Sequence, residues 1–216
     1  MTEEIEIKRK GFDYDTLWNT PYLGHNRLAA ISIKTSGPDT KLHEIIQICV
    51  FPLNHNFDLA KDVGPFYMDI QPLKSRLNID YKYIRMERFK ELLDNAASPQ
   101  IVAGLFDDWM EKQIRLDDKK KLLPIAYNWA AMRPFIKNWL GTENFNYYFS
   151  ERVRDIFSIA LFCNDFADMK LGDVPYLKTT MVTVAKTLRV EYERHDETIL
   201  QCKSISEVYK GLLNHF

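Results

Sequence analysis

The sequence predicts an α/β protein built on a mixed sheet, in which an antiparallel meander continues into parallel strands flanked by helices. Three apolar, β-branched runs joined by short loops come first in the chain, as an antiparallel meander requires. Strand-like and helix-like segments then alternate, which is the pattern of a parallel sheet covered by helices. The 216 residues suffice for one domain that buries about 70% of its unfolded surface.

The three runs of the meander are bounded by turn residues. They lie at residues 28–33, 44–53 and about 64–70, and the first is closed by the turn-rich segment SGPD at residues 36–39. Each run has the length and the content of β-branched residues that are typical of strands. We therefore expect three sequential strands that pair with their neighbours.

The second half of the chain alternates helical and strand signals. Ser98 followed by Pro99 predicts a helix N-terminus, because a serine hydroxyl caps the first turn and proline fits its first position. Gly141 predicts the end of another helix. The predicted helices are residues 86–96, 99–110, 131–140, 179–188 and 204–213, and the predicted strands are residues 122–127 and 153–157.

The domain organisation follows from where this regular pattern begins. Residues 1–26 precede it and are predicted to form an N-terminal arm packed on the domain, because aromatic and apolar residues are spread among polar ones. Those residues are Phe12, Tyr14, Leu17, Trp18 and Tyr22. Residues 27–216 are predicted to form the domain itself.

The charge balance limits the classes of partner. Lys and Arg number 29 and Asp and Glu number 30, which gives a net charge of -1. A surface of this kind does not hold nucleic acid everywhere, although a local basic groove can lie within a neutral total. The aromatic content of 13% would serve a core, a protein interface or a base-stacking surface equally well.

Cysteine usage indicates the compartment. Cys49, Cys163 and Cys202 are far apart and form no CxxC pattern, so neither a disulfide framework nor a zinc site is expected. No signal peptide is predicted, because residues 1–12, MTEEIEIKRKGF, carry several charges and no apolar run. No membrane segment is predicted either, because no stretch approaches the roughly 18 apolar residues that a span requires. We therefore expect a cytoplasmic protein.

Five segments follow one another in the order of a known set of motifs. Residues 31–37 read ISIKTSG and residues 43–48 read HEIIQI; YNWAAM follows at 127–132, VRDI at 153–156 and HDETILQC at 195–202. In this order they resemble the motifs of the DEDD 3′–5′ exonucleases, the group of RNase T and the bacterial proofreading subunits. The resemblance spans about residues 27–214 and implies an RNase H-like fold.

In that family four carboxylates hold two divalent metals, about 4 Å apart, that clamp the scissile phosphate. The resemblance places the four positions at Ser32, Lys34, Met132 and Gln201. None is acidic, and a lysine brings an ammonium group where a metal would lie. The resemblance therefore implies a degenerate active site without a metal, and Mg²⁺ or Mn²⁺ would be bound only if other acids replaced the missing ones.

Two acids are candidates for such a replacement, and the general base is a separate question. Glu44 and Asp155 could be recruited as metal ligands, but their places in the chain favour a solvated or a capping role. The family's catalytic histidine has a possible remnant in His195, although the strict spacing from Gln201 falls on Asp196.

Several residues near the motifs could contact a ligand without a metal. Lys34 could neutralise a phosphate, or its ammonium could simply reach solvent, and both interpretations stay open. Side chains that could pair with or stack on a nucleotide, together with the possible remnant histidine, are Tyr127, Asn128, Trp129, Arg133 and His195. For Trp129 a place in the core is favoured.

One aromatic cluster stands apart from the motifs. The segment FNYYF at residues 145–149 could form an exposed surface for a partner, but a loop folded over the core is favoured.

The sequence therefore favours a catalytically inactive exonuclease-like protein that acts by binding. Its partner would be single-stranded nucleic acid or a protein of a nucleic-acid-processing assembly, for which it would serve as an accessory or inhibitory factor. The small size and aromatic content suit a viral or phage accessory protein. The alternative is an active, metal-dependent 3′–5′ exonuclease with displaced catalytic residues, and a weaker third possibility is a structural subunit that depends on self-association.

Overall fold

The protein is described by a computed structural model that covers residues 19–20, 26–73, 80, 82–114, 121–172, 174–192 and 197–214. Most of the expected N-terminal arm, residues 1–26, lies outside these ranges. His195 and Asp196 lie outside them too. The expectations for the arm and for a remnant histidine therefore stay predictions.

The described strands form one mixed sheet. They are β1 (Asn19–Thr20), β2 (Asn26–Thr35), β3 (Ile45–Pro52), β4 (Phe66–Asp69), β5 (Leu122–Ala126) and β6 (Arg154–Asp155). The strand order is β4-β3-β2-β5-β6, and β1 pairs with β2 outside this path. The pairs β2–β3 and β3–β4 are antiparallel, whereas β2–β5 and β5–β6 are parallel. The predicted combination of an antiparallel meander with parallel strands is confirmed.

Seven α-helices cover the sheet within the described residues. They are α1 (Met86–Asn95), α2 (Pro99–Trp109), α3 (Trp129–Leu140), α4 (Thr142–Tyr148), α5 (Ile156–Leu171), α6 (Met181–Thr187) and α7 (Thr198–Asn214). A π-helical turn over Met110–Ile114 continues α2. The predicted start of α2 is confirmed, since the Ser98 hydroxyl accepts the backbone N–H of Ile101 and Pro99 takes the first helical position. None of the described helices has the length and apolar content that crossing a membrane requires.

Successive residues of β2 face two separate apolar layers. Ala29 and Ile31 belong to a cluster with α2, α3 and α4, whereas Leu28 and Ala30 belong to a cluster with α5, α6 and α7. This alternation follows from the two-residue repeat of a strand. The sheet therefore lies between two layers of helices. Near the end of β2, odd-numbered residues face the layer of α2, α3 and α4, and even-numbered residues face the layer of α5, α6 and α7.

Three predicted elements differ from the structure. The aromatic segment 145–149 was expected to be a loop, but it belongs largely to α4 and buries Phe145, Tyr148 and Phe149. The strand expected over residues 153–157 is only two residues long, because α5 begins at Ile156. The last part of the chain was expected to hold short helices, yet α5 has 16 residues and α7 has 17.

Asp155 ties two elements together at the end of β6. Its Oδ1 accepts the backbone N–H of Asn128 at 2.7 Å and that of Phe157 at 3.2 Å, and its Oδ2 accepts the Ser158 hydroxyl at 3.1 Å. Asn128 needs such an anchor, because its backbone is left-handed with φ of 61°. The carboxylate thus caps α5 and holds the turn between β5 and α3, which is the capping role that the sequence favoured.

Replacing Asp155 with alanine should destabilise the fold. The change removes a helix cap and leaves the Asn128 N–H without its acceptor, so we expect a loss of about 2–3 kcal/mol in the free energy of unfolding. Urea denaturation measures it, and Asp155→Asn, which keeps one oxygen, should lose less. The control Asp108→Ala removes only an exposed ion pair with Lys112 and should stay within about 0.5 kcal/mol. Equal losses in the two alanine variants would contradict the role of Asp155.

Tyr176 has a buried phenol. Its side chain is 1% exposed, and its hydroxyl has no hydrogen-bond partner among the described residues. The side-chain amide of Asn164 holds the Tyr176 backbone in place through bonds of 2.8 and 2.9 Å. Burial raises the pKa of Tyr176 to about 12, so the phenol stays neutral in the folded protein over a range in which an unfolded tyrosine ionises.

The Tyr176 phenol should make the fold sensitive to alkali. A pKa raised in the folded state contributes stability below the ordinary value of about 10 and loses it as the pH rises towards the folded value. We expect the free energy of unfolding to fall less between about pH 8 and pH 11 in Tyr176→Phe than in the wild type. Urea denaturation at the two pH values measures the difference, and identical losses would show that Tyr176 does not contribute.

Candidate functional site

Two of the predicted motif positions meet at the end of β2. The Ser32 hydroxyl donates a hydrogen bond of 2.5 Å to Oε1 of Gln201, although the two residues are 169 positions apart in the chain. Ser32 is 5% exposed and lies on the face of β2 that α7 covers. Two neutral side chains are therefore joined directly at this point.

The start of α7 is held by a side chain of the neighbouring strand. Gln47 of β3 is 4% exposed, and its Oε1 accepts the backbone N–H of Thr198 at 2.9 Å. The first N–H groups of a helix have no partner within the helix, so this amide satisfies one of them. The position of the α7 N-terminus beside β3 is thereby fixed.

Lys34 lies two residues beyond Ser32, on the same face of β2, and its partner across the strand pair is Gln47. The Lys34 side chain is half-buried and lines a cleft of about 480 Å³ between β3, β4, α1 and the start of α7. The cleft is lined by Lys34, Ile46, Gln47, Tyr67, Asp69, Lys82, Tyr83, Ile84, Arg85, Arg88, Leu92 and Glu197. Four cationic side chains and two carboxylates thus share one depression.

A polar network forms one wall of the cleft. The amide nitrogen of Gln47 donates to Asp69 Oδ1 at 2.8 Å and to the Tyr67 hydroxyl at 3.1 Å. Arg88 donates to Asp69 Oδ2 at 2.6 Å and also pairs with Glu91 at 2.8 Å. Asp69 is therefore bound from both sides by a buried amide and a guanidinium.

The protonation states of this wall follow from the same contacts. Burial raises the pKa of the Tyr67 phenol, and the nearby carboxylates of Glu197 and Asp69 raise it further. Hydrogen bonding with Glu91, assisted by Asp69, raises the pKa of Arg88. At neutral pH the wall consequently presents a neutral phenol and a permanently charged guanidinium.

The cations Lys82, Arg85 and Arg88 were not among the residues predicted from the sequence. They follow β4 and begin α1, far from every recognised motif. A signal was present in residues 81–88, YKYIRMER, where tyrosines and basic residues are interleaved. Interleaving of this kind is typical of surfaces that bind single-stranded nucleic acid. Tyr83 is 47% exposed at the edge of the cleft.

The predicted contact residues around the second motif take different places. Trp129 is 5% exposed and packs against Phe145 and Phe149 in the core, as the sequence favoured. The Tyr127 hydroxyl donates to the carbonyl of Thr179 at 3.0 Å, and burial raises its pKa. Two of these side chains are therefore engaged within the fold.

The remaining residues of that motif lie at the start of α3. Asn128 precedes the helix and is anchored by Asp155 through its backbone. Arg133 is exposed, with its guanidinium 5.7 Å from the centre of the Phe145 ring. Met132 is partly buried and packs against the cluster on the other face of the sheet from α7. The structure thus joins Ser32 to Gln201 and puts Lys34 beside them, whereas Met132 packs with the opposite layer.

The acids considered as substitute metal ligands are committed elsewhere. Glu44 accepts the backbone N–H of Leu73 at 2.9 Å, and Asp155 caps α5. Within the ranges that the structure covers, no three His, Cys, Asp or Glu side chains lie together in a way that could hold a metal. The three cysteines are buried and unpaired by disulfides. Burial raises the pKa of the Cys163 and Cys202 thiols, which keeps them unreactive.

Comparison with known proteins identifies the fold. No protein-family model and no curated protein matches the sequence. The nuclease domain of 3′hExo, described as a DEDDh family member bound to rAMP, is similar with a TM-score of 0.61 and 17% identity, over 87% of this chain and 92% of its own. Cell-death related nuclease 4 (CRN-4) gives a TM-score of 0.62 and 14% identity, over 87% of this chain and 64% of its own.

A longer bacterial enzyme shows the same similarity. Exonuclease I from Methylocaldum szegediense gives a TM-score of 0.65 and 8% identity, over 87% of this chain and 40% of its own. This chain therefore spans about two fifths of that enzyme and somewhat less than two thirds of CRN-4. At these identities the similarity establishes the fold: the chain has the RNase H-like fold found in DEDDh exonucleases.

Proposed function

We propose that this chain is a catalytically inactive exonuclease-like protein that binds the end of a single-stranded nucleic acid in the cleft beside β2. The observation that carries the proposal is the pairing of Ser32 with Gln201 next to Lys34, at positions where the motif resemblance to the DEDD exonucleases expects metal-binding carboxylates. The chain would act as an accessory or inhibitory factor in nucleic-acid processing.

The donor set at this place does not fit a pair of divalent metals. Mg²⁺ and Mn²⁺ prefer anionic oxygen ligands, and metal-dependent phosphate cleavage requires two such ions in close proximity. The hydroxyl of Ser32 and the amide of Gln201 are neutral and satisfy each other, and Lys34 brings a positive charge. A metal would have to break the hydrogen bond between Ser32 and Gln201 and overcome repulsion from the ammonium of Lys34.

The charge of the cleft suits a phosphate backbone. Lys34, Lys82 and Arg85 line it together with Arg88, while one of its two carboxylates, Asp69, is bound by Arg88 and Gln47. A positive groove can bind a strand through its phosphates without reading the sequence. The exposed ring of Tyr83 provides a surface on which a base could stack.

Removing two of the exposed cations tests the role of the cleft. We expect Lys82→Ala combined with Arg85→Ala to raise the dissociation constant for a labelled single strand about tenfold or more, because two phosphate contacts are lost. The slope of log affinity against log salt should fall in magnitude by about 1.4, or about 0.7 per contact for single strands. Fluorescence anisotropy at several salt concentrations measures both quantities.

The matched control removes the same charge elsewhere. Lys112 and Lys186 are exposed and lie outside the cleft lining. The double change Lys112→Ala and Lys186→Ala should leave the affinity and the salt slope near the wild-type values. If both double variants weaken binding equally, the strand is held by net charge and the cleft has no special part.

Tyr83 tests whether a base stacks at the mouth of the cleft. Stacking on an aromatic side chain contributes about 1–3 kcal/mol per base, so Tyr83→Ala should weaken binding about 5- to 150-fold. Tyr83→Phe keeps the ring and should retain the affinity. Loss in both variants would indicate that the hydroxyl, and not stacking, is what matters.

The alternative of an active exonuclease is separated by a turnover assay. Single-stranded DNA and RNA labelled at the 5′ end are incubated with the protein in Mg²⁺ or Mn²⁺, and we expect binding without shortening. Shortening that disappears in Lys34→Ala or His195→Ala would overturn the proposal in favour of the enzyme. Absence of both binding and shortening would leave a protein partner as the function to test.

A further inference from the structure

Helix α5 carries large apolar side chains on its outward face as well as on its inner face, which is unusual for a helix at the surface. Its inner face buries Ile156, Ala160 and Cys163 in the apolar layer that also contains α6 and α7. A surface helix normally turns mainly polar residues outwards. In α5, IFSIALFCNDFADMKL, polar residues share the outward side with apolar ones, and this mixture indicates a second contact surface.

The outward face of α5 carries four large apolar side chains in solvent. Phe162 is 66% exposed, Met169 72%, Phe166 46% and Leu161 41%. The rings of Phe162 and Phe166 stack on each other with centroids 6.3 Å apart. Exposed apolar residues that are scattered need no explanation, but a contiguous stripe along one helix marks an interaction surface.

The spacing of this stripe is that of a coiled-coil seam. Ile159, Phe162, Phe166 and Met169 follow one another at intervals of three, four and three residues. Alternation of this kind places residues at the a and d positions of a heptad. With Phe166 at an a position, Asp165 falls at g and Lys170 at e, the positions that flank the seam with opposite charges.

We propose that α5 is a self-association surface, through which two copies of this chain form a dimer by pairing their α5 helices in parallel. In a parallel pair, the g residue of one helix faces the e residue five positions further along the other. Asp165 and Lys170 have this separation, so each dimer would contain two complementary charge pairs around the phenylalanines. The proposal is independent of strand binding, since α5 does not line the cleft.

The exposed area agrees with what a two-fold contact requires. With about 150–250 Å² for a whole aromatic side chain and a similar value for methionine, the exposed seam residues Phe162, Phe166 and Met169 present roughly 350 Å² of apolar surface. Two copies would therefore bury roughly 700 Å² of apolar surface from these residues alone. A standard interface of about 1,200–2,000 Å² in total is a little over half apolar, so the stripe would supply the centre of a small homodimer.

Sedimentation equilibrium of the full chain tests the dimer. The expected result is a mass that approaches twice the 25.5 kDa of one chain as the concentration rises through the micromolar range. Phe162→Glu should raise the dissociation constant about 30-fold or more, because it puts a charge at the centre of the interface. Met169→Glu is a second variant with the same expectation, and thermal unfolding confirms that both remain folded.

The matched control introduces the same charge on another helix. Ile101 of α2 is 58% exposed, so Ile101→Glu should fold and should leave the dimer unchanged. A wild type that is monomeric throughout the concentration range overturns the proposal. So does a dimer that persists in Phe162→Glu and Met169→Glu, because another surface would then hold the two copies.

Charge exchange tests the parallel arrangement. Asp165→Lys and Lys170→Asp should each weaken the dimer about two- to fivefold, because each puts like charges face to face. The double variant restores complementary pairs and should recover the wild-type dissociation constant. Additive weakening in the double variant would overturn the parallel pairing of α5.

Discussion

The docking of α7 across β2 and β3 is the contact on which the arrangement of the site depends. The thiol of Cys202 is fully buried and lies 3.5 Å from the carbonyl oxygens of Ala30 and Cys49, so the helix lies directly on the two strands. Ser32 then meets Gln201, and Gln47 holds the first turn of the helix. At the end of β2 the neutral side chains of Ser32 and Gln201 are therefore hydrogen-bonded to each other, and the cleft lies beside them.

The local charge of the cleft, and not the total charge of the chain, determines what the cleft can bind. The chain as a whole is close to neutral, with a net charge of -1. The cleft nevertheless gathers Lys34, Lys82, Arg85 and Arg88, and Asp69 is occupied by internal contacts. A basic cleft in a nearly neutral protein would let a strand bind locally without covering the whole surface in nucleic acid, as the proposed function requires.

Some features could be predicted from short signals in the sequence, whereas others depend on how distant segments pack together. Ser98 is an N-cap residue and Pro99 is favoured at the first helical position, so these two neighbours were enough to predict where α2 begins. The segment 145–149 was expected to fold over the core as a loop. Its burial agrees with that expectation, but it lies largely in α4, where Phe145, Tyr148 and Phe149 have the spacing of one helix face. The resemblance of motifs assigned Ser32 and Gln201 to one site, and the structure joins them by a hydrogen bond. Arg85 and Arg88 reach the cleft only through the packing of α1.

The metal dependence of strand binding tests most directly whether the cleft of this chain binds without a divalent metal. The affinity for a labelled single strand is measured at constant ionic strength in EDTA and in Mn²⁺. Because the groups at the end of β2 are neutral or cationic, we expect the same dissociation constant in both solutions. Binding that appears only with Mn²⁺ and saturates with the metal would contradict it and would indicate a working metal site.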